Sequence, residues 1–554
     1  MKKVYKFLKN KYKYLLIGIF SILFLIGLCF IPHINGNFDE NLEQNILLGN
    51  VKDYFELSGL EELSDSLNEK GIISISESSE KDHGMAPYYL FIPVLTLRNY
   101  SMYYTSILWH LYTYLIFFLS TIFIYKLTIY LFKSKKVSII STLLYFISPR
   151  ILIDSLHNNK DIILMSLLII MIYYGLKFIK EKRYRYAVAF AIVSAFVCNI
   201  KILGLFFLFI LGVGYIIHTS IEKKWNKHNF LCGLLAAVMS VVLFIILTPA
   251  IWGTGSFKLF DYVNYCLTNS VNFRGSITVL FEGVRYNHDS NPLPWYYLPK
   301  MMAITLPIIV IILYLFSLIL FFIRFVKSIK NRKINFQEYS YLIILLIFLV
   351  PFMIAITSKP NIYNGWRHFY FLYGLIIIFS SFSINYILNI KEKKLIYIFY
   401  SIVMITIVIN IFYLFKYGVA NTAYYNILAG RNNLSNTYEL DYYNVTSIDA
   451  LHKLEKSSKY EVNDDGHIYL YGSGFNNRII TDICTNSSKY LKDKIIVVTD
   501  DNIEKYLKEN KIIYSLNNSV YSYIDMSKYE HVYSYKIFNS NIISFYKLNK
   551  NILK

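Results

Sequence analysis

The chain is poor in cysteine, and the five it has are dispersed, with Cys29, Cys198 and Cys232 inside apolar runs. This excludes a disulfide framework and the paired spacing of a zinc site. No Gly-rich phosphate loop accompanies the strand-like segments of its tail, and no repeat of fixed period runs through it. No small-residue cleavage site follows the first apolar run, which ends Phe30-Ile31-Pro32-His33. That run is also too long for a signal peptide and reads as an uncleaved anchor. Acidic residues are few, 36 against 56 basic ones, leaving a net charge of +20 over 554 residues. In a soluble protein such an excess suggests nucleic acid. Here the charge has another explanation, and no nucleic-acid partner is expected.

What the chain has in abundance is apolar sequence, 55% of residues with a mean hydropathy of +0.41. Runs of about 20 residues, enough to span a bilayer, recur along three-quarters of it. They predict about eleven spans, near 14–31, 103–131, 137–148, 161–178, 184–199, 201–217, 230–248, 301–323, 340–357, 368–388 and 395–415. The third is short. Basic residues concentrate in every second connection: Lys2 to Lys13, Lys133 to Lys136, Lys177 to Arg185, Lys223 to Lys227, Arg324 to Lys333 and Lys391 to Lys394. The positive-inside rule puts these loops in the cytoplasm. The expectation is a multi-pass protein of the cell membrane, with its N-terminus inside and its C-terminal region outside.

The predicted fold is a polytopic α-helical membrane region over 1–419, with external loops at 32–102 and 250–299. A small extracytoplasmic α/β domain is expected over 420–554. In the first loop, short helices are expected at 41–49 and 57–68. In the tail, strands are expected at 468–471 and 495–498, helices at 447–456 and 501–508, and a terminal hairpin from 532–537 and 542–548.

Ionisable residues gather at the external ends of spans. Asn37-Phe38-Asp39-Glu40 follows the first span. A buried Asp is costly in lipid, about 2.5–3.5 kcal/mol at a helix centre and less near the interface, so an acidic pair at this depth points to chemistry. Asp39 reads as a general base, with Glu40 beside it. The structural alternative is a helix start, with Asp39 as N-cap and Glu43 completing a capping box. Further on, Ser148 and Pro149 open a helix. Arg150, Asp154, His157, Asn158 and Asp161 then recur at spacings of three and four, forming one polar stripe, with Lys160 adjoining it. An ion pair between Arg150 and Asp154 on an interfacial helix is the plainer account of the first two.

Two more segments carry candidates. Asn291 to Lys300 holds Trp295, which suits an interface anchor, and Lys300, which suits a phosphate. Upstream of it lie Glu282, Arg285, His288 and Asp289. Tyr363-Asn364-Gly365-Trp366-Arg367-His368 opens the tenth span; Arg367 and His368 suit a leaving phosphate as charge develops on it. Lys201, at a hairpin tip, is a further candidate. Asp154, Glu282, His288 and Asp289 are the candidate ligands for a divalent metal ion.

Taken in order, these motifs resemble the GT-C-type integral membrane glycosyltransferases, in particular the glycosyltransferase family 39 group and an uncharacterised bacterial branch of it. The matching stretches are Ser148 to Asp161, Asn291 to Lys300 and Gly365 to His368. In the tail, Tyr425 to Asp441 follows more loosely: Arg431 replaces a glycine, and Tyr443-Asn444 stands where the branch has Trp-Gly. The resemblance implies an inverting transfer of a sugar from a polyprenyl-phosphate donor to an external hydroxyl, on a glycolipid, a cell-wall polymer or a protein. Asp39, Glu40 and Asp154 would be catalytic, and Arg150, Lys160, Lys300, Arg367 and His368 would hold the donor phosphate. His157, Asn158, Asp161, Trp295 and Trp366 would face the acceptor. The rival readings are a lipid-linked-sugar transporter or flippase and a non-catalytic assembly subunit. A transporter is expected to carry ionisable groups deep within broken spans; here they lie at span ends.

Overall fold

The computed structural model describes residues 2–36, 39–253, 257–272, 277–486, 489–521 and 526–548; Asn37 and Phe38 of the acidic motif lie outside them. The helices that build the membrane region and its first long loop are α1 (Lys2–Leu28), α2 (Glu40–Leu57), α3 (Met102–Phe132), α4 (Lys135–Phe146), α5 (Pro149–His157), α6 (Asp161–Glu181), α7 (Tyr184–Ile200), α8 (Leu203–Ile221), α9 (Lys227–Ile246), α10 (Ile308–Lys330), α11 (Phe336–Ser358), α12 (Phe371–Leu388) and α13 (Lys393–Tyr417). Among the described residues, nine helices are long and apolar enough to cross a membrane. This is a multi-pass membrane protein.

All eleven predicted segments are helical, and two differ from the expected span. α4 and α5 meet at a bend of 65°. Ser148 there is extended (φ −64°, ψ 115°) and Pro149 opens α5, since a residue before proline is driven out of the helical region. α7 has 17 residues, about 25 Å of helix, short of the roughly 30 Å hydrocarbon core. α6 and α12 are 78% buried in their most apolar stretch, far more than α9, α10 or α13. They form the bundle centre, with α3, α4 and α10 packed around them.

The tail carries five strands, β1 (Ile468–Tyr471), β2 (Ile495–Val498), β3 (Ile513–Asn518), β4 (Glu530–Ile537) and β5 (Ser540–Lys547), ordered β2-β1-β3-β5-β4. β1 runs parallel to β2 and β3, while β5 pairs antiparallel with β3 and β4. Helices at Ser447–Glu455 and Ile503–Lys508 fall where expected. β3 and the helix Phe475–Asn486 were not anticipated.

Candidate functional site

The site starts at α2. Asp39 occupies the N-cap position, but its side chain caps no backbone N–H, so the expected capping box does not form. The first turn places Glu43 over Asp39, with the Glu43 amide donating to the Asp39 carbonyl at 2.8 Å. Glu43 is 6% exposed. Burial, and then the neighbouring Asp39, push its carboxyl up to about 8, against the pull of Lys160, Asn159 and Arg367. Glu43 was read only as a cap partner; its spacing of four from Asp39 was the available signal.

Lys160 and Arg367 bear on these carboxylates, and Lys201 joins them through Asp161. Asn158 accepts from the Asp161 amide at 2.9 Å, a turn that starts α6. Asp161, itself buried, then binds Lys201 Nζ at 2.5 Å and Arg367 Nη1 at 3.4 Å. Lys201 lies between α7 and α8. Arg367 follows a turn in which Asn364 and Gly365 both have positive φ, 56° and 66°. A Cβ on Gly365 would stand 3.1 Å from Arg150 Nη2, so the tight turn and its packing both favour glycine. The Arg367 guanidinium lies over the rings of Tyr363 (4.6 Å) and Tyr443 (4.8 Å) and donates to the Tyr443 hydroxyl. Burial and nearby Lys201 draw the Lys160 ammonium down to about 8, although Asp82, Glu43 and Asp161 oppose this. Burial and Arg367 hold His368 well below its ordinary value, so it stands neutral beside the cations.

The tail closes this cluster. Glu439 accepts from the Asn364 amide at 2.8 Å. Asp441 accepts from the amides of Val445 and Thr446 and from the Thr446 hydroxyl, forming the loop that presents Tyr442 and Tyr443. Asn444, in the place of the branch's glycine, has φ 58°. Asn is among the few non-glycine residues that adopt this region readily.

Asp154 belongs to a neighbouring network. It accepts from the Tyr370 hydroxyl at 2.5 Å and the Thr422 hydroxyl at 2.7 Å, with His157 Nε2 at 3.4 Å and Arg150 Nε at 3.9 Å. Arg150 donates to Tyr370 at 3.1 Å and faces the Tyr425 ring. Both Asp154 oxygens are thus engaged by protein donors that join α5 to α12 and the turn after α13. This geometry suits a brace better than a metal ligand. His157 meets Tyr443 edge-on at 5.5 Å, which links the brace to the cluster.

The remaining candidates are engaged elsewhere. Glu40 pairs with His110 of α3 at 3.0 Å, both buried. Lys300 pairs with Glu282, which also accepts from Tyr296 at 3.0 Å. The Asp289 amide closes a turn onto Asn287, and Trp295 is 62% exposed. Trp366 is fully buried and donates to Thr305 at 2.8 Å. Among the described residues, one group has ligand atoms near enough to hold a metal ion, Glu80, Asp82 and His83, within 4.8 Å of one another. It contains none of the four predicted ligands. Its loop is pinned to α7, where Gly84 packs so closely on Asn199 that a Cβ would stand 1.7 Å from the Asn199 carbonyl oxygen.

Residues 102–252 match the sequence profile of the family described as Dolichyl-phosphate-mannose-protein mannosyltransferase. No curated protein matches the chain. Among solved structures, it is similar to ArnT from Cupriavidus metallidurans bound to undecaprenyl phosphate, at 9% identity and TM-score 0.42 over 97% of this chain and 98% of that one. The same protein in the apo state gives TM-score 0.44 with the same identity and coverage. The Archaeoglobus fulgidus oligosaccharyltransferase tethered to an acceptor peptide gives 12% identity and TM-score 0.44 over 91% of this chain and 69% of that one. The matched segment runs from α3 to just beyond α9 and bears out the resemblance to GT-C-type glycosyltransferases.

Proposed function

We propose that this protein transfers a hexose from a polyprenyl-phosphate donor to an acceptor hydroxyl on the extracytoplasmic face of the membrane, with inversion at the anomeric carbon. One observation carries the reading: Arg367 and Lys201 are both held by buried Asp161, Lys160 lies near Lys201, and Arg367 and Lys160 bear on the Asp39–Glu43 turn. A phosphate seated there would meet three cations, and charge-assisted contacts of this kind strengthen as charge develops on the leaving group.

In this reading, Asp39 removes the proton from the acceptor hydroxyl. The oxygen attacks the sugar C1, and the bond from C1 to the phosphate oxygen breaks. A positioned general base contributes about 10²–10⁴-fold. Tyr442 and Tyr443, held over Arg367, would cover the phosphate and leave the acceptor to enter beside Asp39. A divalent cation, where one serves, would sit on Glu80, Asp82 and His83, near Lys160, and act as a Lewis acid on the phosphate. The basic loops support a cytoplasmic N-terminus and an external tail. Residues 420–554 would then form an external domain that positions the acceptor, whether glycolipid, cell-wall polymer or protein.

The test is sugar release from labelled polyprenyl-phosphate mannose in proteoliposomes, with wild type and Asp39→Asn compared. Turnover that falls by about 10²-fold or more in the variant, with folding intact, supports the base. Undiminished turnover removes Asp39 from the mechanism.

A further inference from the structure

Glu43 has no part in the reading above, yet its setting is hard to explain structurally. Its Oε2 is buried and finds no hydrogen-bond partner. Asn159, also buried, turns its side-chain amide toward this carboxyl, and no other protein donor among the described residues is seen at that oxygen. A buried carboxyl with this single neutral donor, beside Lys160 and Arg367, leaves hydrogen-bonding capacity for a ligand oxygen.

Resting on the transfer reading above, we infer that Glu43 is a catalytic acid, donating its proton to the departing phosphate while Asp39 accepts one from the acceptor hydroxyl. The geometry supports this division of roles. Both carboxylates lie on one face of the first turn of α2. Glu43 is the buried one, and Lys160 and Arg367 bear on it. A pair of carboxyl groups whose surroundings set them apart is how one site carries both an acid and a base.

The step balances. The acceptor O–H bond breaks and its proton goes to Asp39. The acceptor oxygen forms a bond to C1 as the bond from C1 to the phosphate oxygen breaks with its electron pair. The Glu43 proton then goes to the phosphate, which leaves as a singly protonated monoester. Asp39 next returns its proton to Glu43 one helical turn away. The net result moves the acceptor's proton to the product phosphate.

The groups facing Glu43 that titrate or carry charge are Asp39 at the start of its own helix, Tyr88 in the turn Ala86–Phe91, Lys160 at the start of α6 and Arg367 before α12. Around Lys160 stand Asp82, Asp161 and Lys201. Lys160 also titrates in the alkaline range, so it needs its own control.

The test is binding of undecaprenyl phosphate to the full-length protein in nanodiscs, from pH 6 to pH 9, together with turnover of polyprenyl-phosphate mannose. Wild type is expected to lose affinity at least fivefold between pH 7 and pH 9, as the proton that bridges Glu43 and phosphate is lost. Glu43→Gln is expected to bind with little slope across that range and to lose the alkaline limb of turnover, with kcat down at least tenfold. Lys160→Arg is expected to keep the slope. An unchanged slope in Glu43→Gln, or its loss in Lys160→Arg, overturns the assignment and leaves the transfer reading standing. Absence of binding by the wild type at every pH overturns both.

Discussion

Glu40 and His110 meet at 3.0 Å where α2 crosses α3, with 2% and 1% of their side chains exposed. Glu40 therefore acts on packing, although it adjoins Asp39. Gln44 also donates to it at 3.3 Å. Glu40→Ala is expected to destabilise the fold by about 1–3 kcal/mol, the cost of stranding a buried partner. Glu40→Gln keeps an acceptor for His110 and is expected to keep sugar transfer within about threefold of wild type, against the loss of about 10²-fold predicted for Asp39→Asn. Thermal unfolding and turnover measured on the same preparations separate the two roles; equal losses of turnover in the two variants would put Glu40 back in the chemistry.

Asp161 holds Lys201 and Arg367 together, and its removal leaves partly exposed Lys201 and buried Arg367 without their shared anion. Asp161→Asn keeps the shape and removes the charge. It is expected to raise KM for a polyprenyl-phosphate donor and lower kcat/KM by about 10- to 100-fold, or about 1.4–2.8 kcal/mol. Arg367→Lys is expected to cost a similar amount, because an ammonium lacks the planar face that lies over Tyr363 and Tyr443 while Nη1 reaches Asp161. Steady-state kinetics against donor concentration decide this, and a kcat/KM within twofold of wild type for Asp161→Asn removes the residue from phosphate binding.

Much of the architecture was legible because long apolar runs and their basic punctuation are large signals. β1 and β2 in the tail were equally plain, four-residue apolar runs whose bounds match the sequence reading. β3 was missed because Ser515, Asn517 and Asn518 interrupt its apolar residues; its place is settled by β1 on one side and β5 on the other. At the site, the types of residue were visible and their directions were not. Successive helical residues point about 100° apart and residues four apart only about 40°. Asp39 and Glu40, adjacent in sequence, thus part company, while Asp39 and Glu43 share a face. Likewise, nothing local reveals that Asp154 meets Thr422 or that Arg367 meets Tyr443.

The buried carboxyls give stability a pH signature. Glu43 is pushed up to about 8 and Glu439 to about 7, both from 4.5, chiefly by burial. A carboxyl raised in the fold holds a proton that the unfolded chain has already released. Its contribution is therefore full below the ordinary value and is lost as pH rises toward the folded one. The thermal midpoint is expected to fall between pH 5 and pH 8. Glu43→Gln and Glu439→Gln, fixed in the uncharged form, should each flatten that fall. Lys160, drawn down to about 8 from 10.5, works in the opposite sense only above pH 8, and His368, held well below 6.5, does so only below that value, one group against the two carboxyls. Differential scanning fluorimetry in detergent across this range checks the sign; a midpoint rising from pH 5 to pH 8 contradicts it.

Asn444 offers a cleaner separation of backbone from side chain. Its φ of 58° lies in the left-handed region, and its amide donates to the Ser447 hydroxyl at 3.1 Å and accepts from Asn518 at 3.3 Å. Asn444→Gly and Asn444→Ala lose the same two hydrogen bonds. They differ in the Cβ, which costs an L residue about 1–2 kcal/mol in this conformation. Glycine is therefore expected to be the milder change, by about 1 kcal/mol, despite its greater freedom in the unfolded chain. Because the loop carries Tyr443 to Arg367, the alanine variant should also show weaker donor binding, and the glycine variant much less of it. Equal stability of the two variants would mean that the loop relaxes out of the left-handed conformation.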